Sequence, residues 1–302
     1  GFPNSDSSCV GTGPCDYIYE YGDGTTTSGI VAYETFTFTA LDGSSFVVEP
    51  ITFGCGQNES LNGFPGIDGL VGLAQGSFSL PSQLSSALGF TDIFSYCLIP
   101  FEGTAANYST FYFGVPETNI LTYTPIYRNL VNPLATFYYV EVTGISVGDV
   151  LLNIPADFFS ISATDGSGGI IFDSGTTLNL LIDVGYDAVL QSHKNSFQNF
   201  KSINNSYGGS TVCFDVSSAT ASTIYPNIVF HLQSVSGGEP VDFVLYPENV
   251  FLPPPETDVL CLTIMSINSP GPMIIGNTAQ ADHEMVFDRV NNQIGWASTT
   301  CT

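Results

Sequence analysis

Residues 168–178 read Gly-Gly-Ile-Ile-Phe-Asp-Ser-Gly-Thr-Thr-Leu. Apolar residues that favour strands run into Asp173, and a small polar loop then leads back to an apolar run that begins at Leu178. The pattern predicts a buried strand that ends at an acid and a glycine turn. Backbone N–H groups and loop hydroxyls would surround the Asp173 carboxylate and hold it ionised. The hydroxyl-bearing loop residues are Ser174, Thr176 and Thr177. The plainer alternative is an ordinary strand end with a turn aspartate, and this stretch alone does not separate the two.

The composition indicates a globular, strand-rich protein with ample core. Of its 302 residues, 43% are hydrophobic and only 11% are charged, with 23 Phe, 15 Tyr and 31 Gly. Four Lys and Arg stand against 28 Asp and Glu, a formal net charge of −24, which predicts no nucleic-acid partner and no anionic membrane surface. No apolar run approaches the roughly 20 residues that span a bilayer. No signal peptide is recognisable, so we expect a chain that is mature or starts internally.

The cysteines and sequons favour a secreted, oxidised protein. None of the seven cysteines forms a Cys-x-x-Cys pair, and the three histidines lie far apart, so we expect neither a metal site nor a cofactor. An odd cysteine count leaves at least one thiol without a partner in this chain. The candidate N-glycosylation sites are Asn58, Asn107 and Asn204.

The chain in order predicts a mostly β protein with few helices. Asp23-Gly24 between strand-forming runs indicates a hairpin, and Pro81 suits the first turn of a short helix over residues 80–88. A second helix is expected after Asp183, which would cap it, with His193 as a half-buried packing residue. The remaining strands are expected at 47–48, 51–55, 94–98, 111–114, 121–126, 137–147, 228–232, 241–245, 259–264, 273–275, 285–287 and 294–296. The weakly patterned segment 127–136 suggests a lobe boundary between residues 132 and 133.

An internal repeat is incomplete in this sequence. Phe172-Asp173-Ser174-Gly175 is followed about a hundred residues later by Met273-Ile274-Ile275-Gly276, and Leu70-Val71-Gly72 repeats the second of these elements. A matching Asp-Thr-Gly or Asp-Ser-Gly would lie upstream of Gly1, and the 302 residues contain no second copy. The repeat therefore predicts a second acidic loop that this sequence does not carry.

Five stretches in family order give the chain a resemblance to plant pepsin-type aspartic peptidases of the nepenthesin-like group. They are residues 21–24, resembling a flap tip; 53–56 with 69–73, resembling the first-lobe support; 94–98; 173–177, resembling the second catalytic loop; and 274–277 with 286–288 and 294–297, resembling the closing segment of the second lobe. Each stretch alone is weak, but together they span most of the chain. The departure is the absence of the first catalytic Asp-Thr-Gly.

The resemblance implies a mostly β, bilobal pepsin-like fold with an incomplete first lobe over 1–132 and a second lobe over 133–302. It assigns Asp173 as a catalytic acid, supported by Ser174, Gly175, Thr176 and Thr177. Ser174 and Thr176 would hydrogen-bond to the carboxylate and across the pair of acids. It also implies a flap and substrate-binding hairpin tip formed by Tyr21, Gly22, Asp23 and Gly24. A disulfide between Cys213 and Cys261 is implied in the second lobe, whereas Cys9 or Cys15 would have its mate upstream, and the pairing of Cys55, Cys97 and Cys301 stays open.

The implied activity is hydrolysis of peptide bonds in acid by a water activated between two aspartates. Its substrate would be a protein or peptide, and the enzyme would be a monomer secreted to the apoplast or a digestive fluid, or held in the vacuole. Because one aspartate is missing, the chain is a fragment of an active peptidase, one piece of a nicked enzyme, or a shortened pseudo-enzyme. The alternative function is that of an inactive peptidase-like protein that binds peptides or inhibits a glycan-degrading enzyme.

The scarcity of basic residues also bears on pH. In acid the carboxylates become protonated, and a protein with four Lys and Arg gains little positive charge. We therefore expect greater stability in mild acid than at neutral pH, where the ionised carboxylates repel one another.

Overall fold

The structure is a computed structural model that describes residues 8–9, 15–60, 68–100, 108–116, 120–133, 135–203, 210, 212–220, 223–254, 258–268 and 271–301. Its contacts divide the chain into two units. Unit 1 comprises Gly1–Ile93 and Pro133–Thr136, and unit 2 comprises Phe94–Asn132 and Phe137–Thr302. Residues 94–132 therefore group with the second unit by their contacts. The lobe boundary between 132 and 133 stays a prediction.

Unit 1 is built on one antiparallel sheet and a helix. The sheet has the order β1-β2-β3-β4, and the helix is α1. The bounds are β1 Ser8–Cys9, β2 Cys15–Glu20, β3 Thr26–Thr39, β4 Ser45–Glu59 and α1 Leu80–Leu88. The Gln83 side chain ties α1 to β4, because its amide accepts the Thr52 N–H at 2.7 Å and donates to the Thr52 carbonyl at 2.9 Å. The helix has the predicted bounds, with Pro81 in its first turn and Gly89 ending it in the left-handed conformation at φ 69°.

Unit 2 contains the remaining elements. Its strands are β5 Ile93–Cys97, which begins one residue before the unit, β6 Thr110–Phe113, β7 Thr122–Pro125, β8 Tyr138–Val140, β9 Val142–Val147, β10 Val150–Leu151, β11 Ile170–Phe172, β12 Asn179–Ile182, β13 Lys201–Ile203, β14 Cys213–Asp215, β15 Ile228–Leu232, β16 Val241–Leu245, β17 Phe251–Leu252, β18 Val259–Leu262, β19 Ile264–Ile267, β20 Met273–Ile275, β21 His283–Asp288 and β22 Gln293–Ser298. Its helices are α2 Asp183–Ser196, α3 Pro247–Val250 and α4 Asn277–Gln280, with a 3₁₀ turn at Ala156–Phe159.

Four sheets organise these strands. Their orders are β19-β12-β20-β11-β8, β6-β5-β21-β22-β7, β10-β9-β15-β16 and β13-β14-β18-β17. The first sheet mixes directions, since β11 and β20 are parallel whereas β12 and β20 are antiparallel. An aromatic core packs beside it, where the rings of Phe94 and Phe287 stack at 4.8 Å and Tyr138 meets Phe287 edge-on at 4.7 Å. Asp173 directly follows β11, a strand of the first sheet.

Most predicted strands are confirmed, several with unchanged bounds. Residues 228–232, 241–245 and 273–275 form strands as predicted, whereas 137–147 divides into β8 and β9. The two pieces expected at 47–48 and 51–55 belong to one continuous strand, β4.

Two predictions about α2 are wrong. Asp183 is the first helical residue rather than the cap, which is Ile182, and its carboxylate instead accepts a short hydrogen bond from the Ser266 hydroxyl. His193 is fully buried rather than half-buried, and it packs edge-on against Phe251. Strands β12 and β19 both pack against this helix.

Two disulfide bonds link residues within unit 2. The predicted Cys213–Cys261 bond is confirmed and joins paired strands β14 and β18. A second bond, Cys97–Cys301, ties β5 to the end of the described chain. Cys15 is also disulfide-bonded, so the expectation of a mate lost upstream is wrong for this residue. Among the described residues Cys55 is a free, exposed thiol.

None of the helices in the described ranges is long and apolar enough to cross a membrane.

Candidate active site

The Asp173 loop grows out of three buried strand residues. Ile170, Ile171 and Phe172 form β11 and are at most 3% exposed. This strand pairs on one side with β20 and on the other with β8. The ladder with β20 extends one residue further, because the Asp173 N–H donates to the Ile275 carbonyl at 3.1 Å. Asp173 is therefore fixed in the sheet by its backbone, and its half-buried side chain emerges where the sheet ends.

Two donors from the loop hold the Asp173 carboxylate. Oδ1 accepts the Gly175 N–H at 2.8 Å, and Oδ2 accepts the Thr176 hydroxyl at 2.6 Å. Each oxygen thus receives one hydrogen bond from the loop. A carboxylate offers about four acceptor positions, so both oxygens keep capacity for a further donor.

The loop is braced from behind by the segment that follows β20. The Asn277 N–H donates to the Thr176 carbonyl at 2.8 Å, and the Thr278 N–H and hydroxyl both donate to the Thr177 carbonyl. A Cβ added to Gly276 would lie 2.3 Å from the Leu178 carbonyl oxygen. Only a glycine permits this close approach of the two chain segments.

Buried amides complete the brace. Asn179, which begins β12, accepts the Gly276 N–H at 3.0 Å. Gln280 donates from its side-chain amide to the Ile275 carbonyl at 2.8 Å. Both side chains are fully buried, and their hydrogen bonds hold the N–H and the carbonyl of the Ile275–Gly276 peptide group.

Tyr96 is a member of the site that the sequence analysis did not assign. It is 3% exposed, and its hydroxyl donates a short hydrogen bond to the Gln280 side chain. Burial raises the pKa of Tyr96 well above its ordinary value, the charge of Asp173 adds to the rise, and a hydrogen bond with the Ser174 hydroxyl acts against it. The only sequence signal was the resemblance of residues 94–98 to a segment of the plant group.

The predicted flap forms a tight hairpin in unit 1. The Gly24 N–H donates to the Tyr21 carbonyl at 2.9 Å, and Gly24 takes φ 81°, which favours glycine. Asp23 stabilises the turn by accepting the N–H and the hydroxyl of Thr25, and these bonds lower the pKa of the Asp23 carboxyl. The Tyr21 ring meets Tyr19 edge-on at 4.7 Å, and partial burial raises the pKa of its hydroxyl. Gly22 is exposed at the tip.

The structure thus brings together part of the predicted set. Asp173, Gly175 and Thr176 are in direct contact, and the Thr177 carbonyl accepts the Thr278 hydroxyl. The expected roles of the Ser174 and Thr177 hydroxyls at the carboxylate stay predictions. The flap residues belong to unit 1, and the Asp173 loop belongs to unit 2.

Only one of the three candidate glycosylation sites lies within the described residues. Asn58 lies exposed on β4, whereas Asn107 and Asn204 lie outside the described residues. In the ranges that the structure covers, no group of three or more His, Cys, Asp and Glu is arranged to hold a metal ion.

Comparisons with known proteins match most of the chain. The family models described as xylanase inhibitor N-terminal and xylanase inhibitor C-terminal match residues 2–115 and 137–298. Aspartic proteinase nepenthesin-1 of Nepenthes gracilis is 35% identical over 95% of this chain and 61% of its own length. Aspartyl protease AED1 of Arabidopsis thaliana is 33% identical over 98% of this chain and 58% of its own length. The chain therefore spans about three-fifths of these relatives.

Solved structures agree on the fold. The structure titled edgp superimposes with a TM-score of 0.81 at 23% identity, covering 95% of this chain and 74% of that one. Basic 7S globulin from soybean gives a TM-score of 0.76 at 19% identity, covering 98% and 79%. These likenesses confirm the predicted mostly β, pepsin-like fold. The family models that match residues 2–115 and 137–298 show that this chain belongs to the plant family of nepenthesin-like, aspartic-peptidase-type proteins.

Proposed function

We propose that Asp173 is one of the two catalytic carboxylates of an aspartic endopeptidase that hydrolyses proteins or peptides in acid. The observation that carries this proposal is the geometry of the carboxylate. Gly175 and Thr176 orient its two oxygens, and each oxygen keeps acceptor capacity for a water or a shared proton. A braced loop keeps that orientation through a reaction, as preorganised sites require.

The chemistry needs a second carboxylate. Two acids about 3 Å apart share one proton, because both cannot easily be ionised together. The ionised member takes a proton from the water between them, and the water oxygen attacks the peptide carbonyl. The protonated member donates a hydrogen bond to the developing oxyanion. These 302 residues contain one Asp-Ser-Gly and no Asp-Thr-Gly, so the partner carboxylate comes from polypeptide outside this sequence.

The hairpin tip at residues 21–24 would cover the bound substrate and exclude water. Tyr21 supplies a partly buried ring at the base of the tip, and the exposed Gly22 and Gly24 leave the backbone open to an extended peptide. This role is carried by the family resemblance and by the hairpin's own geometry.

A second candidate function is non-catalytic. The matching family models are described as xylanase inhibitor domains, and one similar solved structure is titled a basic 7S globulin from soybean. A chain with one catalytic aspartate could bind peptides, or inhibit a glycan-degrading enzyme, through the same surface.

Acid proteolysis by the purified chain separates these functions. We expect the 302-residue chain alone to be inactive, and a chain extended upstream to supply an Asp-Thr-Gly loop to cleave protein in acid. Pepstatin should block that cleavage, since its hydroxyl replaces the water between the carboxylates. Asp173→Asn should abolish it while leaving the fold intact. Thr176→Ser, which keeps the hydroxyl, is the matched control for Thr176→Val, and we expect only the valine variant to lose most activity.

Two outcomes would contradict the proposal. Pepstatin-sensitive cleavage by the 302-residue chain, eliminated by Asp173→Asn, would show that a second carboxylate lies within this sequence. An extended chain that folds and stays inactive, but inhibits a purified xylanase, would favour the inhibitor function.

We also propose that the protein is a secreted or vacuolar monomer. Its disulfides are typical of oxidising compartments, where thiols are not kept reduced. Asn58, in the sequon Asn-Glu-Ser, is exposed and available for a glycan. Loss of a glycosidase-sensitive mass in Asn58→Gln would support passage through the secretory route, and its persistence would contradict the use of this site.

A further inference from the structure

A chain of hydrogen bonds through serine, histidine and aspartate lies in unit 2 on a sheet that does not carry Asp173. Three neighbouring strands each supply one member: Ser146 on β9, His231 on β15 and Asp242 on β16. The Ser146 hydroxyl lies 2.7 Å from Nε2 of His231. Nδ1 of the same ring lies 2.6 Å from Oδ1 of Asp242. Both distances are within hydrogen-bond range.

The partners of the ring decide which nitrogen carries the proton. A carboxylate only accepts hydrogen bonds, so Nδ1 of His231 must donate to Asp242. In the neutral imidazole Nε2 is then an acceptor, and it accepts the hydroxyl proton of Ser146. This is the order in which a histidine oriented by an acid serves as the general base for a serine.

The surroundings of the serine limit what can reach it. Ser146 is 8% exposed, whereas the side chains of His231 and Asp242 are 24% and 56% exposed. A Cβ on Gly144 would lie 3.1 Å from the Leu151 methyl and 3.6 Å from the His231 ring, so Leu151 and the imidazole flank the glycine. Leu151 is itself 65% exposed and forms an apolar wall beside the ring. The position therefore suits a small acyl group with an apolar end rather than a long chain.

We propose that Ser146 is a nucleophile that accepts an acyl group from small activated esters. Its hydroxyl proton passes to Nε2 of His231 as Oγ bonds to the ester carbonyl carbon. The ester C–O bond then breaks, and the imidazolium returns the proton to the leaving oxygen, which departs as an alcohol. The product is an acyl ester of Ser146, and water can later hydrolyse it with His231 again acting as base.

The sheet also predicts which step is slow. At Ser146, β9 pairs with Leu151 on one side and with Val229 on the other. Pairing on both sides directs its backbone N–H groups into the ladders rather than toward a developing oxyanion. Acylation and hydrolysis both lack that stabilisation, but acylation by an activated ester expels a good leaving group, whereas hydrolysis must expel the serine alkoxide. Hydrolysis is therefore the slower step, and the acylated protein accumulates. The expected behaviour is one rapid acylation followed by slow turnover.

p-Nitrophenyl acetate tests this proposal on the intact 302-residue chain. We expect a burst of p-nitrophenolate that approaches one equivalent, and peptide mapping should find the acetyl group on Ser146. Ser146→Ala should remove the burst, and His231→Gln should slow acetylation about 100-fold or more, as loss of a general base does. Asp242→Asn should also slow it, because the amide no longer fixes the tautomer. Ser234→Ala is the matched control, since Ser234 is equally buried but bonds to Ser236 rather than to a histidine.

A purely structural network would give a different result. Folded wild-type chain that carries no acetyl group on Ser146 would overturn the proposal, as would acetylation of Ser146 at an unchanged rate in folded His231→Gln. If Ser146→Ala does not fold, the position of the acetyl group on the wild-type chain still decides. The outcome is separate from that of the peptidase proposal, because the assay uses neither acid nor a protein substrate.

Discussion

The same sequence pattern has two different environments in the two units. In unit 2, Ile274 and Ile275 end β20, which lies between β11 and β12, Gly276 follows them directly, and Ile275 is fully buried. In unit 1, Leu70 and Val71 of Leu70-Val71-Gly72 are 58% and 66% exposed and belong to no strand in the described structure. The two segments are alike in sequence, because each has two aliphatic residues followed by glycine. The difference teaches that this element becomes a strand only where neighbouring strands bracket it, since an isolated strand has no ladder to join.

The strongest test of this comparison is a glycine substitution in each unit. Gly276→Ala would place a Cβ 2.3 Å from a backbone oxygen, and we expect it to lower the free energy of unfolding of unit 2 by about 4 kcal/mol. Trp296, the only tryptophan, lies in unit 2 and reports its unfolding in urea by fluorescence. Gly72→Ala is the matched control, because nothing lies within 4 Å of its added Cβ, and we expect a change below about 0.5 kcal/mol. Equal effects of the two substitutions would contradict the comparison.

The histidines make the stability of unit 2 depend on pH. All three lie there, and His193 and His283 are fully buried, each bonded through Nδ1 to a backbone carbonyl at 2.9 Å. Burial lowers the pKa of both, that of His193 to about 4 from an ordinary 6.5. The unfolded chain therefore binds protons more readily, and stability is lost as the pH falls from about 6.5 to about 4.

We expect His193 alone to cost about 3 kcal/mol between those limits, since each unit of pKa is worth about 1.4 kcal/mol. This cost opposes the gain expected in mild acid from protonating the carboxylates. His193→Phe removes this contribution, so its unfolding free energy at about pH 4 relative to about pH 7, measured in urea, should be more favourable than in the wild type by about 3 kcal/mol. Gln191→Leu, on the exposed side of the same helix, adds apolar surface without changing a titrating group and should leave the wild-type difference unaltered. An unchanged difference in His193→Phe would mean that this ring is not the source.

A third substitution compares tyrosines of the two units. Tyr96→Phe removes the donor to the buried Gln280 side chain and should cost about 2 kcal/mol, as an unpaired buried acceptor does. Tyr21→Phe, at the half-exposed hairpin base, should cost less than about 0.5 kcal/mol. Urea unfolding of both variants measures the difference. A loss for Tyr21→Phe as large as that for Tyr96→Phe would show that unit 1 is as tightly braced as unit 2.

The smallest expected effect concerns two glycines of the hairpin tip. Gly24→Ala meets no atom within 4 Å, so its cost of about 1 kcal/mol comes from φ 81° alone. Hydrogen exchange of the β2–β3 amides should quicken about 5-fold. Gly22→Ala also meets open space but needs no positive φ, and we expect no change. Faster exchange in both variants would point to contacts at the tip rather than to backbone conformation.

The sequence predicted elements well where local pattern and burial agree. The helix α1 and the strands β15, β16 and β20 occur at the predicted residues, because each has a clear apolar face or cap. The long strand β4 was predicted only in pieces. Much of its length is half-exposed or exposed, so its pairing with β3 rather than a hydrophobic pattern defines it.

The site was predicted in part for a similar reason. Asp173 and its Gly175 and Thr176 donors are neighbours in sequence, so the local pattern could indicate them. Tyr96 and Gln280 lie 184 positions apart, and only the fold brings them together behind the loop. A single sequence carries no signal for such a pair beyond the family resemblance of residues 94–98.

The Cys97–Cys301 bond makes almost all of unit 2 a single covalent ring. Its two ends are 204 positions apart, and the Asp173 loop and both α2 and α3 lie inside that span. A protease that cut once between these cysteines would open the ring but release no fragment. On a non-reducing gel the cut protein would migrate as one species, and only a reductant would reveal two pieces. The bond thus keeps the residues that surround Asp173 covalently connected after a single cut of the chain.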